Sequence, residues 1–268
     1  MSIDFDNYNT KTVSNVVKDA EAFALKDLFD KTNQSLLCIL SDGLSLRQAY
    51  ETLKIIAPAI DVLVLPAWDT VPYDRVSPNA NILSQRIDCL AKLAFEPQKK
   101  RLILTSVGAV IQKLPPRKVF LNTRKALKVG DKLNFDAFLH YVALNGYTRV
   151  EQVMENGEYA VRGDIIDIFP SGTEQPLRID LFDDEIERIR LFEVETQRST
   201  SELQYYSFES ANEVILDQNT IKTFRSKYRE EFGADGLKDE LYESISNGKK
   251  YLGMENWLPL FYAEALPT

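Results

Sequence analysis

The run GYTRVEQVMENGEYAVRGDIIDIFPSGTEQPLRIDLFDDEIERIRLFEVETQR, residues 146–198, organises the chain around it, because clear strand alternation coexists there with charged and aromatic residues on an outer face. In Arg178-Ile179-Asp180-Leu181-Phe182 a period of two puts Ile179 and Leu181 on one face and Arg178, Asp180 and Phe182 on the other. The first face is a core. The second mixes an arginine, a carboxylate and a large aromatic, closer to a protein-binding surface than to an ordinary solvated one. Glu187-Arg188-Ile189-Arg190-Leu191 alternates in the same way, with Ile189 and Leu191 inward and Arg188 and Arg190 outward. Joined at Asp183-Asp184, the two runs read as a hairpin. Alternation leaves the register open; a three-residue loop would set Ile179 beside Ile189 and Asp180 beside Arg188, which suits both faces.

Working outward, the first hundred residues read differently. Leu36–Leu40, Asp61–Leu65 and Arg101–Thr105 are short apolar runs expected to form buried strands, and helical patterns cover Ser14–Asp30 with Ser14 as cap, Leu44–Ile56 and Asn81–Ala94. Buried strands alternating with helices imply an α/β fold with a parallel sheet. The proline-bearing stretch from Pro66 to Pro78 is expected to be an ordered loop, since Trp68, Val71 and Tyr73 are costly to leave in water. Leu114-Pro115-Pro116-Arg117 marks the approach to a boundary. Beyond it a helix over Asn134–Asn145 and short strands form an α+β insert. Helical patterns return after Ser207, with Asn219 as an expected cap and Gly248 as a stop, and the apolar tail around Trp257–Tyr262 should pack on the first domain.

A length of 268 residues, 44% hydrophobic and 27% charged, suits a soluble globular protein of one or two domains. A net charge of −8 argues against a broad nucleic-acid footprint. Cys38 and Cys89 lack the spacing of a metal site or disulfide framework and read as buried thiols of a reducing cytoplasm. No apolar run reaches the roughly 20 residues that span a bilayer, and the first residues lack signal-peptide form. A cytoplasmic location is expected.

The α/β pattern invites a search for a phosphate loop, which needs glycines for close approach and a lysine for the terminal phosphates. The turn Ser41-Asp42-Gly43-Leu44-Ser45-Leu46-Arg47 has one glycine and no lysine. Val214-Ile215-Leu216-Asp217, an apolar run ending in an acid, is a weak match without that cradle. ATP hydrolysis is therefore rejected. His140, the single histidine, lies in a helical segment without a triad signature, and the acids Asp180, Asp183, Asp184, Glu185 and Glu187 have local turn reasons to be present, so neither catalysis, metal nor cofactor is expected.

Gly157–Phe192 resembles the second domain of the bacterial transcription-repair coupling factors (Mfd) and of their relative, the excision-repair helicase UvrB. Trp68-Asp69-Thr70-Val71-Pro72-Tyr73-Asp74, Ser77-Pro78, Ile82-Leu83-Ser84-Gln85-Arg86 and Glu255-Asn256-Trp257-Leu258-Pro259-Leu260-Phe261 look like the coupling factors in particular. The resemblance implies an amino-terminal UvrB-homology module: a degenerate helicase-like, phosphate-loop-type parallel-sheet domain 1A over residues 1–122, an inserted small α+β domain 2 over 123–207, and a mainly helical domain 1B over 208–268 that packs back on 1A. It implies no enzyme activity here, the translocase motor lying elsewhere, and a monomeric, non-catalytic recruitment role in which domain 2 binds UvrA. Residue by residue, the family's docking positions fall on Arg162, Arg178 and Phe182, with Asp180, Arg188 and Arg190 flanking. The family is also thought to hide this face against its carboxy-terminal domain, and to reach RNA polymerase and DNA through segments absent here, so the chain, ending at Ala265-Leu266-Pro267-Thr268, reads as a fragment. The alternatives are a helicase-type nucleotide- or DNA-binding domain related to UvrB, and a scaffold whose domain 2 face serves only intramolecular packing.

Overall fold

The computed structural model describes residues 20–262, so the expected cap at Ser14 lies outside the described residues. The first helix, α1, covers Glu21–Lys31 and is followed by β1 (Leu36–Leu40), α2 (Gly43–Ile56), β2 (Val62–Leu65), α3 (Ala80–Phe95), β3 (Leu102–Ser106), α4 (Val107–Val110) and α5 (Arg117–Thr123). The strands form a parallel sheet in the order β1-β3-β2. Leu53, Leu102 and Leu104 are fully buried where α1 and α2 cover one face. One expectation fails here. Strand β1 is at the sheet edge and is covered on one face only, which leaves Leu37 60% and Ile39 50% exposed. The thiols also divide, with Cys38 half-buried and Cys89 buried and pushed up to about 12 by desolvation.

The stretch 66–79 is a loop strapped to residues 253–257. The Thr70 hydroxyl donates to Asn256 Oδ1 at 2.6 Å, Asn256 Nδ2 donates to the carbonyls of Asp74 and Val76, and the Ser77 hydroxyl donates to Glu255. Gly253 has φ +80, and a Cβ there would lie 2.6 Å from the carbonyl carbon of Arg75, so only glycine lets the two segments approach this closely. Two motifs separated by most of the chain are thus one contact. Burial explains only part of the loop: Trp68 is half-buried, whereas Val71 and Tyr73 are mostly exposed, and the tip is held by hydrogen bonds together with the edge-on contact of the Tyr73 ring with Trp257 at 4.9 Å.

The second unit comprises β4 (Lys125–Lys128), α6 (Phe135–Leu144), β5 (Thr148–Arg149), β6 (Glu158–Arg162), β7 (Ile165–Ile168), β8 (Leu177–Phe182), β9 (Glu185–Phe192), β10 (Ser199–Leu203) and β11 (Tyr205–Phe208). Six of the strands form one sheet in the order β10-β9-β8-β7-β6-β5, antiparallel except at β5–β6, while β4 and β11 pair separately. Phe138 and Val142 of α6 pack against Ile166, Ile168, Leu177, Ile179 and Ile189, so the helix covers the inner face of the sheet. Among the described residues, no helix lies on the outer face.

The chain returns through Ser210–Val214, a buried segment, into α7 (Gln218–Phe232), α8 (Glu240–Ser246) and α9 (Leu258–Phe261). The cap of α7 is Asp217, not Asn219: its carboxylate accepts the Asn219 and Thr220 amides at 2.8 Å, with Thr220 answering in a capping box. That gives the acid ending Val214–Asp217 a local job. The tail's Trp257, Leu258, Phe261 and Tyr262 share a core with Phe224, Tyr228 and Leu241, and Trp68, Val119 and Tyr73 of the first unit pack against it, so the tail both builds a core with the carboxy-terminal helices and meets the first unit as expected.

The Arg75 guanidinium grips Asp239 at 2.8 and 2.5 Å, and with the Leu241 amide and Tyr228 hydroxyl it holds that carboxyl down at about 2. A folded-state value below the unfolded value of about 3.9 adds stability that is complete above the unfolded value and disappears as pH falls through 2. In thermal melts, the gap between wild type and Asp239→Asn is expected to be open at pH 6 and to close between about pH 4 and pH 2. A gap that widens on acidification contradicts this assignment.

Candidate functional site

The outer face of the six-stranded sheet is laid out by its register. Arg162 opposes Ile165, Ile165 opposes Asp180 and Asp180 opposes Arg188, giving one row across four strands. The next row, two residues along, is Ala160, Asp167, Arg178 and Arg190. Residues directly opposite point to the same side, so both rows share the outer face with Phe182.

The expected pairs Ile179–Ile189 and Asp180–Arg188 occur, but the loop is not of three residues. Phe182 opposes Glu185 across a two-residue turn with Asp183 at φ +58, and a bulge then shifts the register between Asp180 and Leu181. The ion pairing differs as well. Asp180 accepts from Arg190 at 2.9 and 2.7 Å on the diagonal, whereas exposed Arg188 reaches only its neighbour Glu187 at 3.4 Å.

The hairpin tip is braced from the side. Gly130 and Leu133 amides donate to the Ile186 and Asp184 carbonyls at 2.9 and 2.7 Å, the Ile186 amide returns a bond to Asp131, and Lys132 pairs with Asp184 at 2.8 Å, lowering the Asp184 carboxyl. Phe182 stands at this tip 76% exposed. A braced backbone presents the ring without a hinge beneath it.

Arg162, at the end of β6 before the Gly163 turn, is half-exposed and donates Nη2 to Asp167. Arg178 is only 14% exposed: Nε and Nη2 donate to Asp167 at 2.7 and 2.8 Å, Nη1 donates to the Gln197 carbonyl, and the guanidinium lies 4.5 Å over the Phe192 ring. The bonds to Asp167 raise its already high pKa, so it is charged throughout the working range. Asp167, 1% exposed, joins the two arginines and was not among the expected site residues. Its signal is an acid inside the apolar run Ile165-Ile166-Asp167-Ile168-Phe169, which a strand interior tolerates only when the charge is paired.

The face offers an exposed aromatic ring at the hairpin tip and guanidinium groups further along the same sheet, a surface suited to an apolar pocket with carboxylates at a distance from it. His140 lies elsewhere, exposed on α6, and no group of three or more potential metal ligands occurs among the described residues.

Residues 126–213 match the UvrB interaction domain family. The chain is 37% identical to the transcription-repair-coupling factor of Haemophilus influenzae over 257 residues, 95% of this chain and 22% of that protein. It is 36% identical to that of Escherichia coli over 77% of this chain and 18% of the relative, and 30% identical to that of Mycobacterium bovis over 76% and 17%. Residues 126–213 thus match the UvrB interaction domain, the chain as a whole is similar to part of the transcription-repair-coupling factors, and it spans about a fifth of the length of the curated relatives it matches.

Proposed function

We propose that this chain is a non-catalytic recruitment module of transcription-coupled nucleotide excision repair, docking on UvrA through the outer face of its antiparallel sheet. The observation that carries the reading is Phe182, 76% exposed on a braced hairpin tip, with Arg162, Arg178 and the Asp180–Arg190 pair further along the same sheet face. Desolvating such a ring in a partner's pocket supplies binding energy, and arginines further along the face choose acidic groups. In this reading 1–122, 123–207 and 208–268 are domains 1A, 2 and 1B, the protein is cytoplasmic and monomeric, and in a longer polypeptide the same face closes against a carboxy-terminal domain. RNA polymerase and DNA are reached through other segments of that polypeptide, which carry the ATP-driven motor.

The competing reading, a helicase-type nucleotide- or DNA-binding domain, meets an obstacle at the start of α2. The Asp42 carboxylate accepts the Ser45 amide at 2.8 Å, a bond that lowers its pKa, so a negative charge already sits where a phosphate would be cradled. The two readings separate in titrations at physiological salt. The intact chain is expected to bind UvrA and to leave labelled ATP and duplex DNA free; binding of ATP or duplex without UvrA reverses the assignment.

A further inference from the structure

Within the proposed UvrA-docking face, on which this inference rests, one carboxylate is placed to act without touching the partner. Asp167 is 1% exposed on the central strand β7, between β6 and β8. Its Oδ1 accepts from Arg178 Nε, and its Oδ2 accepts from both Arg178 Nη2 and Arg162 Nη2. Arg178 is further fixed by the Gln197 carbonyl and by the Phe192 ring beneath it. Arg162 is half-exposed, and the bond to Asp167 is what the structure provides to hold it.

We infer that Asp167 is a positioning residue for partner binding: it locks the Arg162 and Arg178 guanidinium groups as one cationic pair on the sheet face that also carries Phe182, so that a carboxylate-bearing partner meets arginines already ordered. Long side chains that are free beforehand must be immobilised on binding, and removing that cost for even one or two arginines is worth roughly tenfold in affinity. The same geometry permits an opposite prediction. If Asp167 instead competed with the partner's carboxylate for the arginines, neutralising it would free them and tighten binding. A merely structural Asp167 would lower the melting temperature and add its binding cost independently of Arg162. The sign and additivity of the effect therefore decide between the roles.

The experiment is a double-mutant cycle on the intact chain, with UvrA binding measured by surface plasmon resonance at fixed salt, for wild type, Asp167→Asn, Arg162→Ala and the double variant. Asp167→Asn is expected to weaken binding roughly tenfold, and Arg162→Ala is expected to cost far less in the Asp167→Asn background than in wild type. Equal or tighter binding by Asp167→Asn, or additive losses, overturns the inference. Should Asp167→Asn fail to fold by circular dichroism, Asp167→Glu takes its place in the cycle with the same criteria, its longer side chain displacing the guanidinium groups while keeping the charge. A wild-type chain that does not bind UvrA removes the docking reading and this inference together, whereas wild-type binding with additive losses removes the inference alone.

Discussion

Phe182→Ala is expected to lower the affinity for UvrA by roughly 30-fold or more, the scale of a central aromatic anchor, while the melting temperature stays within about 2 °C of wild type. The two halves of that result come from one fact. With 76% of its surface in water, the ring contributes little to the fold, and the core side of its strand is carried by Ile179 and Leu181, both buried. Its worth is realised only when a partner covers it. Lys132, Gly130 and Leu133 keep the hairpin tip in place whether or not the ring is present, so the substitution removes an anchor without loosening its mount. A pull-down in which Arg178→Ala/Phe182→Ala retains UvrA at the wild-type level would remove this face from the docking reaction.

The outer face was legible because a strand's side-chain period is rigid: once Ile179, Leu181, Ile189 and Leu191 are taken as inward, Arg178, Asp180, Phe182, Arg188 and Arg190 have no other place to go. Arg162 came from the resemblance to the UvrB family. What alternation could not show is which charge meets which. Pairing Asp180 with Arg190 rather than Arg188 depends on a bulge and on side-chain reach across a diagonal, neither of which leaves a periodic trace. Asp167 was hidden for a related reason, since its partners come from strands on either side that only the sheet order brings together. In the first unit, runs such as Leu36–Leu40 reveal a strand but not its place in the sheet, so the edge position and open face of β1 were invisible. The cap of α7 was misplaced, because Asp217 lies two residues before Asn219 and accepts two amides at once.

The largest expected loss of stability lies away from the outer face of the antiparallel sheet, at Glu213. After the antiparallel sheet the chain continues through the buried segment Ser210–Val214, where Ala211 joins the core of that sheet and Val214 joins that of the carboxy-terminal helices. Between them, Glu213 accepts from Arg86 Nε at 2.5 Å and Nη2 at 3.2 Å and from Trp68 Nε1 at 3.2 Å, while Arg86 Nη1 donates to the Pro66 carbonyl at 2.7 Å and its guanidinium lies 4.9 Å over the Trp68 ring. Both side chains of the pair are fully buried, so one ion pair ties α3, the end of β2 and the return segment together. Removing one partner from such a pair leaves a buried charge uncompensated and costs about 3–5 kcal/mol. For Glu213→Ala this predicts a fall in melting temperature of about 10 °C or more. Arg86→Met/Glu213→Leu, which removes both charges and restores apolar volume, should recover much of the loss, because the cost lies in the orphaned arginine rather than in the missing salt bridge. Below its own transition, Glu213→Ala should still bind UvrA, since the hairpin tip is braced within its own sheet unit. Scanning calorimetry together with binding measurements would show the reverse of the Phe182→Ala pattern, and a Glu213→Ala chain as stable as wild type would mean that the buried pair contributes nothing to joining the three units.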